Sequence, residues 1–350
     1  MSPGSGARTR ASVSPASAGR RLLWPSLLLA ALAGALVATV TVLLVRGEDE
    51  RPAARPASPT PPGPGVRVVG RPIRVGEDPI GLDVGPAYVW VVSGAEGAAH
   101  VIDPNTDTAL DRQVPIGGRP ADVEISGSVW VPKVDADTLV RVSPLSNRVT
   151  RAIPVGDSPT AVTTSPGAVW VANQDDDTVV RIDSRTSDIV GRAIKVGQAP
   201  GSLVYTHGAV WVSNVEDDTV SRIDVRSRRV VETIRVGDQP YGLTHGANAV
   251  WVANLEDDTV SRIDPSSNRV VRTIRVGDRP LHLDADVDTN LIWVPNSGDG
   301  TLSAIDPNRN RVIGRSLKLA GGVDRVAAGL GAVWALSSAD GTVSRIELTN

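Results

Sequence analysis

The chain contains no cysteine and no phenylalanine, and only one methionine and three tyrosines. Without cysteine there can be no disulfide, no thiolate nucleophile and no cysteine-bound zinc or iron–sulfur centre. Charge of either sign is also missing in excess: 36 Lys and Arg against 39 Asp and Glu leave a formal net charge of -3. Phosphate backbones are bound by a strong basic field, so nucleic acid is excluded as a partner. Histidine is scarce, and His100, His207, His245 and His282 share no metal-ligand spacing. They read as isolated surface or turn residues.

Long apolar runs are absent except for one. Residues 22–45 carry no charge, and as a helix they would span roughly 36 Å, enough to cross a bilayer. Arg8, Arg10, Arg20 and Arg21 precede the run, while Arg46, Arg51 and Arg55 after it are mixed with Glu48, Asp49 and Glu50. That bias places the N-terminus in the cytoplasm and the rest of the chain outside. A cleaved signal peptide is the competing reading, with Ala33-Gly34-Ala35 as its site, but the run continues ten residues further. The expectation is a disordered cytoplasmic segment over 1–21, an uncleaved transmembrane signal-anchor over 22–45 and a proline-rich linker over 46–65. Such a linker in polyproline II could hold a domain up to about 60 Å from the membrane.

What the remainder has is a period. Trp90, Trp130, Trp170, Trp211, Trp251, Trp293 and Trp334 recur at spacings of 40 to 42 residues, each in a block such as Ala-Val-Trp-Val-Ala-Asn. A forty-residue period with one aromatic per period is a repeat architecture. In the unit from Gly237 to Gly277, turn residues divide four short strand patterns, which makes each repeat a four-stranded antiparallel blade. Seven repeats over residues 66–350 predict an all-β fold, a seven-bladed β-propeller. The chain stops before a fourth strand in the last blade. Val66-Arg67-Val68-Val69-Gly70-Arg71-Pro72-Ile73-Arg74-Val75 has the pattern of the fourth strands and is expected to complete it, leaving a monomeric closed ring with no open edge. The tryptophans read as packing between blades, and the repeated Arg-Ile-Asp at Arg181, Arg222 and Arg262 as a structural ion pair plus a turn residue.

The phrase Val-Trp-Val-Ala-Asn-Leu-Glu-Asp-Asp-Thr-Val-Ser-Arg-Ile-Asp-Pro, followed by Ile-Arg-Val-Gly-Asp-Arg-Pro, resembles the repeat of the YVTN-type bacterial propeller family. The resemblance covers about residues 66–350 and implies a surface or periplasmic binding or scaffolding module. The repeats are also similar to streptogramin (virginiamycin B) lyase, a magnesium-dependent seven-bladed enzyme. That resemblance implies catalytic histidines after the proline opening an innermost strand, and a glutamate just after a central aromatic strand. Here the first positions hold Ile80, Ala121, Thr160, Gly201, Tyr241, Leu281 and Asp324. The second hold Ser93, Asn173, Asn214, Asn254, Asn296 and Ser337. No confident catalytic set is therefore named.

Two constellations remain. At the mouth of the central channel, adjacent blades offer Tyr241, His282, Asp324 and Arg325, which include an acid–base pair and a phenol and form the candidate ligand site. Separately, Asp284, Asp286, Asp288 and Asn290 alternate oxygen side chains like the start of a calcium loop, although Thr289 and Pro295 replace the usual Gly and Glu. Calcium is the only cofactor this pattern suggests. The hairpins between second and third strands carry Asp175 to Asp177, Glu216 to Asp218 and Glu256 to Asp258, which predicts an acidic face. Arg148, Arg185, Arg226, Arg228, Arg229, Arg269, Arg309 and Arg311 predict a basic one opposite, turned toward the membrane. The function expected is a membrane-anchored extracytoplasmic binding module with a protein, cell-wall or small-ligand partner. The alternative is a propeller enzyme with its site at the channel mouth.

Overall fold

A computed structural model describes residues 65–349 apart from Arg112. The expected N-terminal segment, anchor and linker, up to residue 64, lie outside the described residues. Among the described residues no helix is long and apolar enough to cross a membrane.

The described chain folds into seven sheets of four antiparallel strands, two of them with a divided outer strand. The innermost strands of blades one to seven are Pro79–Val84, Glu124–Ile125, Pro159–Ser165, Pro200–Thr206, Pro240–Gly246, Asp284–Asp286 and Arg325–Gly329. Each touches the next, and the seventh touches the first, so the ring is closed. As expected, the first strand, Gly65–Arg74, pairs antiparallel with the last, Thr342–Thr349, in register Val66 to Leu348 and Ile73 to Val343. The seventh sheet is thus built from both ends of the propeller.

Second strands such as Ala249–Asn254 are buried along their whole length. They lie inside their own sheet and between two neighbouring sheets, which is why both faces of the sequence are apolar. Trp170, Trp211, Trp251 and Trp334 are fully buried. The arginines opposite Trp170, Trp211 and Trp251 on the third strands act differently from the ion pair expected. Arg181, Arg222 and Arg262 form no ion pair among the described residues. Their guanidinium groups lie over the Trp170, Trp211 and Trp251 rings at 5.7, 5.5 and 5.2 Å. Arg262 Nη1 also donates to Pro307 O (3.0 Å) and Asn310 Oδ1 (2.7 Å) in the next blade. This residue therefore fastens one blade to another through a ring face and a turn.

The polar part of the repeat has a structural use as well. Asn173, Asn214, Asn254 and Asn296 end their second strands and accept hydrogen bonds from Gly156, Gly197, Gly237 and Gly277 N–H in the link entering the same blade, at 3.1 to 3.2 Å. Asp176, Asp217 and Asp257 accept from the following residue of that link. Asp177, Asp218 and Asp258 accept from the link that leaves, at Ala199, Gln239 and Arg279. A Cβ on Gly156, Gly197 or Gly237 would overlap both the Asn amide and the Asp carboxylate. The Val-Gly-Asp and Asn-x-x-Asp-Asp elements of the repeat are two halves of one backbone cap.

These hairpins and links share one end of the propeller, which is acidic. The opposite end is not uniformly basic. Its turns carry the expected arginines, but Asp103, Asp183, Asp224, Asp264 and Asp306 stand in the same turns and accept their backbone N–H groups. Charge there is mixed, with Arg226, Arg228 and Arg229 of blade four as a local basic group.

Candidate functional site

Each innermost strand has one edge facing the axis, and its N–H groups there have no strand partner. Side chains from the preceding blade fill the role. Asp83 Oδ2 accepts from Ile125 N–H (2.7 Å), Asp122 Oδ2 from Val162 N–H (3.2 Å), and Ser202 Oγ from Leu243 N–H (3.3 Å). Glu124 Oε1 accepts from both Thr164 N–H (3.1 Å) and Thr164 Oγ1 (2.8 Å). Asp284 Oδ2 accepts from Ala328 N–H (2.9 Å). A free sheet edge must be satisfied or covered, and here it is satisfied by carboxylates and a hydroxyl handed from blade to blade.

The strand period of two sorts these side chains into levels. Two residues beyond the opening proline stand Asp122, Ser202 and His282, with Arg325 in the equivalent place in blade seven. Two residues deeper stand Asp83, Glu124, Thr244 and Asp284. Successive levels on one strand are separated by about 7 Å.

In the upper level Arg325 Nη1 lies 3.2 Å from Asp122 Oδ1, and Nη2 donates to Ala121 O at 3.4 Å. Blade one lies between these partners and has Gly81 at the matching position, so no side chain blocks the pair. The Tyr241 and His282 rings meet edge to face with centroids 5.5 Å apart. Burial, then the Arg325 charge, hold the His282 imidazole well below its usual range, so it is neutral. Its Nε2 is buried and has no hydrogen-bond partner. Burial pushes the Tyr241 phenol up.

In the lower level the carboxyls repel one another in an enclosed space. Burial, with the charges of Asp284 and Asp122 added, raises Asp83 to about 7. Burial and the Asp83 charge raise Glu124 to about 8. Burial raises Asp284 to about 6 against three hydrogen bonds that lower it. Asp122 is raised too, because its burial outweighs Arg325.

The structure therefore brings Tyr241, His282 and Arg325 together and leaves Asp324 out. Asp324 Oδ2 accepts from Ser338 N–H (2.7 Å) in the hairpin of its own blade. The oxygen-rich stretch of blade six is also divided. Asp284 faces the channel, whereas Asp286 accepts from Asp288 N–H, Thr289 N–H and Thr289 Oγ1 and closes its own turn. Asp284, Asp286, Asp288 and Asn290 do not gather. Among the described residues no three His, Asp or Glu side chains are grouped so as to hold a metal ion. Of the scarce histidines, His100 is not on the surface but buried against Glu96 at 2.9 Å.

Sequence reasoning missed Asp83, Asp122 and Glu124. Their signal was register: acids two or four residues after the proline that opens an innermost strand, in blades one, two and six together.

With this geometry the chain can be set beside known proteins. No protein-family model and no curated protein matches it. Among solved structures it is similar to a streptogramin B lyase, with TM-score 0.72 and 15% identity over 81% of this chain and 98% of that one. A catalytically inactive virginiamycin B lyase from Staphylococcus aureus with quinupristin gives 0.71 and 16% over 81% and 100%. Kuenenia stuttgartiensis hydrazine synthase gives 0.68 and 15% over 78% and 96%. The likeness is one of fold. At this identity it assigns no chemistry, since propellers host many functions.

Proposed function

We propose that this chain is a membrane-anchored, extracytoplasmic binding module, akin to the YVTN-type repeat proteins, that takes a small ligand or a cell-envelope partner at its channel mouth. One observation carries the ligand site: His282 Nε2 is buried without a partner beside Tyr241 and the Arg325–Asp122 pair. A buried nitrogen left unpaired costs roughly 1–3 kcal/mol, which a bound group would recover. The uncharged run over residues 22–45 supports the anchor. The first strand begins at Gly65, opposite Thr349, at the end of the propeller away from the acidic hairpins, so the preceding chain joins the ring there.

The test is purification of the full chain from its native host followed by native mass spectrometry. A bound mass present with wild type and lost with Arg325→Ala and His282→Ala supports the reading, and its absence from all three overturns it. Membrane anchoring is checked separately by whether the chain stays in the pellet after alkaline carbonate washing.

The enzyme alternative draws on the fold likeness and on the neutral imidazole beside a phenol, the two members of an acid–base couple. Magnesium-dependent opening of a streptogramin B ring, abolished by His282→Ala, would favour it over binding.

A further inference from the structure

The channel is strongly biased in sign. Asp83, Asp122, Glu124 and Asp284 stand against the single guanidinium of Arg325, and the end from which the upper level is reached carries the acidic hairpins of blades three, four and five. Low-dielectric walls lined by one sign of charge focus the field and concentrate counter-ions. A cation approaching this end meets the acidic hairpins first and the enclosed carboxyls beyond Arg325.

The lower level also has an open valence. Glu124, which is half-buried, spends Oε1 on both bonds from Thr164, and its Oε2 has no hydrogen bond within the protein and is not sealed from solvent. His282 Nε2 is the unpaired atom in the level above. A carboxylate oxygen free in the lower level and a ring nitrogen unpaired in the upper one suit a ligand with an ammonium donor at one end and a second polar atom further along. A bare metal ion fits poorly, because the other carboxylate oxygens are held by backbone N–H groups and do not converge. An ammonium group needs no such ring of ligands, since one carboxylate oxygen can accept from it while water takes its other donors.

We infer that the channel takes an amine-bearing organic cation, entering from the acidic end, with its ammonium group at Glu124 and its next polar atom beside His282 and Arg325. This deepens the channel-ligand reading above and rests on it. The Arg325–Asp122 pair offers a donor and an acceptor side by side: an amide on the ligand would use both, a second ammonium the Asp122 acceptor alone.

The experiment is calorimetric titration of the full chain with 1,5-diaminopentane as probe, and with glutarate, a dianion of the same chain length, at matched ionic strength. Saturable diamine binding is expected. Glu124→Gln, which keeps the Thr164 bonds, should weaken it at least about tenfold, since a charge-assisted bond is lost. Glu216→Gln on the exposed acidic hairpin should leave it within about twofold, because exposed charges contribute little. Near-ultraviolet circular dichroism of the buried tryptophans checks that each variant is folded. Equal weakening by both substitutions would mean surface attraction only and overturns the inference, as does binding of glutarate in place of the diamine. If the diamine fails while the native ligand still co-purifies and is lost with Arg325→Ala, the ligand class is wrong and the channel site stands. If neither is seen, both fall.

Discussion

Arg325 of blade seven reaches past blade one to meet Asp122 of blade two, Nη1 to Oδ1, at 3.2 Å. The two residues are 203 positions apart in the chain. Both side chains keep less than a fifth of their exposure, so the pair is held in an enclosed channel rather than on the surface. It joins blades that are not neighbours, on either side of the blade next to the ring's junction.

Breaking that pair should be costly. Arg325→Ala leaves an enclosed carboxylate without its partner, and a loss of about 2–4 kcal/mol is expected. A double-mutant cycle with Asp122→Ala, read by urea unfolding, should give a coupling energy of about 1–3 kcal/mol. Strict additivity would mean the pair contributes nothing.

The Glu124 carboxyl makes stability depend on pH with a definite sign. Its folded value, about 8, lies above the ordinary carboxylate range, so the folded chain binds the proton more tightly than the unfolded one. Stability from this group is full in acid and is lost as pH rises through the neutral range. Glu124→Gln removes the loss while keeping the Thr164 bonds. Its melting temperature should therefore match wild type near pH 5 and exceed it at pH 9, by about 2–4 °C for each kcal/mol.

Gly237 should not tolerate a methyl group. Its φ is not in the left-handed region, so the obstacle is space: a Cβ would meet Asn254 and Asp257. Gly237→Ala should cost about 1–3 kcal/mol by overpacking. Gly167, whose positive φ points its missing side chain into open space, should cost less, about 1 kcal/mol of backbone preference. Chemical unfolding of the two variants side by side tests the order.

Removing residues 66–75 should expose the last strand. Ile73 and Val75 are buried in the core between blades seven and one, and their loss alone amounts to about 3–6 kcal/mol. The unpaired edge at residues 342–349 should also make the shortened chain associate, seen as concentration-dependent light scattering. Unchanged melting and a monomeric profile would contradict the closure.

The ring and its closure were legible because they are periodic. Trp90 to Trp334 mark each second strand, and residues 66–75 repeat the pattern of Arg269–Arg275. Tyr241, His282 and Arg325 could be named from the sequence as residues near the start of the innermost strands of neighbouring blades, one or two places after the opening position. Asp324 was misjudged, because an aspartate one residue before Arg325 bonds to a hairpin N–H and no periodicity shows that. The acids Asp83, Asp122 and Glu124 were missed since carboxylates on alternating strand positions look like a solvated face. Only the edge geometry of an innermost strand turns them inward. The mixed charge of the end opposite the acidic hairpins was misread for a related cause. Its arginines stand out in the sequence, while the aspartates beside them look like ordinary turn formers.

The seventh blade gives the propeller a mechanical character. Gly65 and Thr349 sit side by side, and the strand from Gly65 runs along the last strand to Arg74, interrupted between Val69 and Ile73. Tension on the chain before Gly65, directed along that strand, would load its backbone pairs together in shear instead of peeling them one at a time. A sheet loaded this way resists extraction far better than one unzipped from its tip, so the seam that joins the two ends would also be the part of the ring best suited to bear a pull.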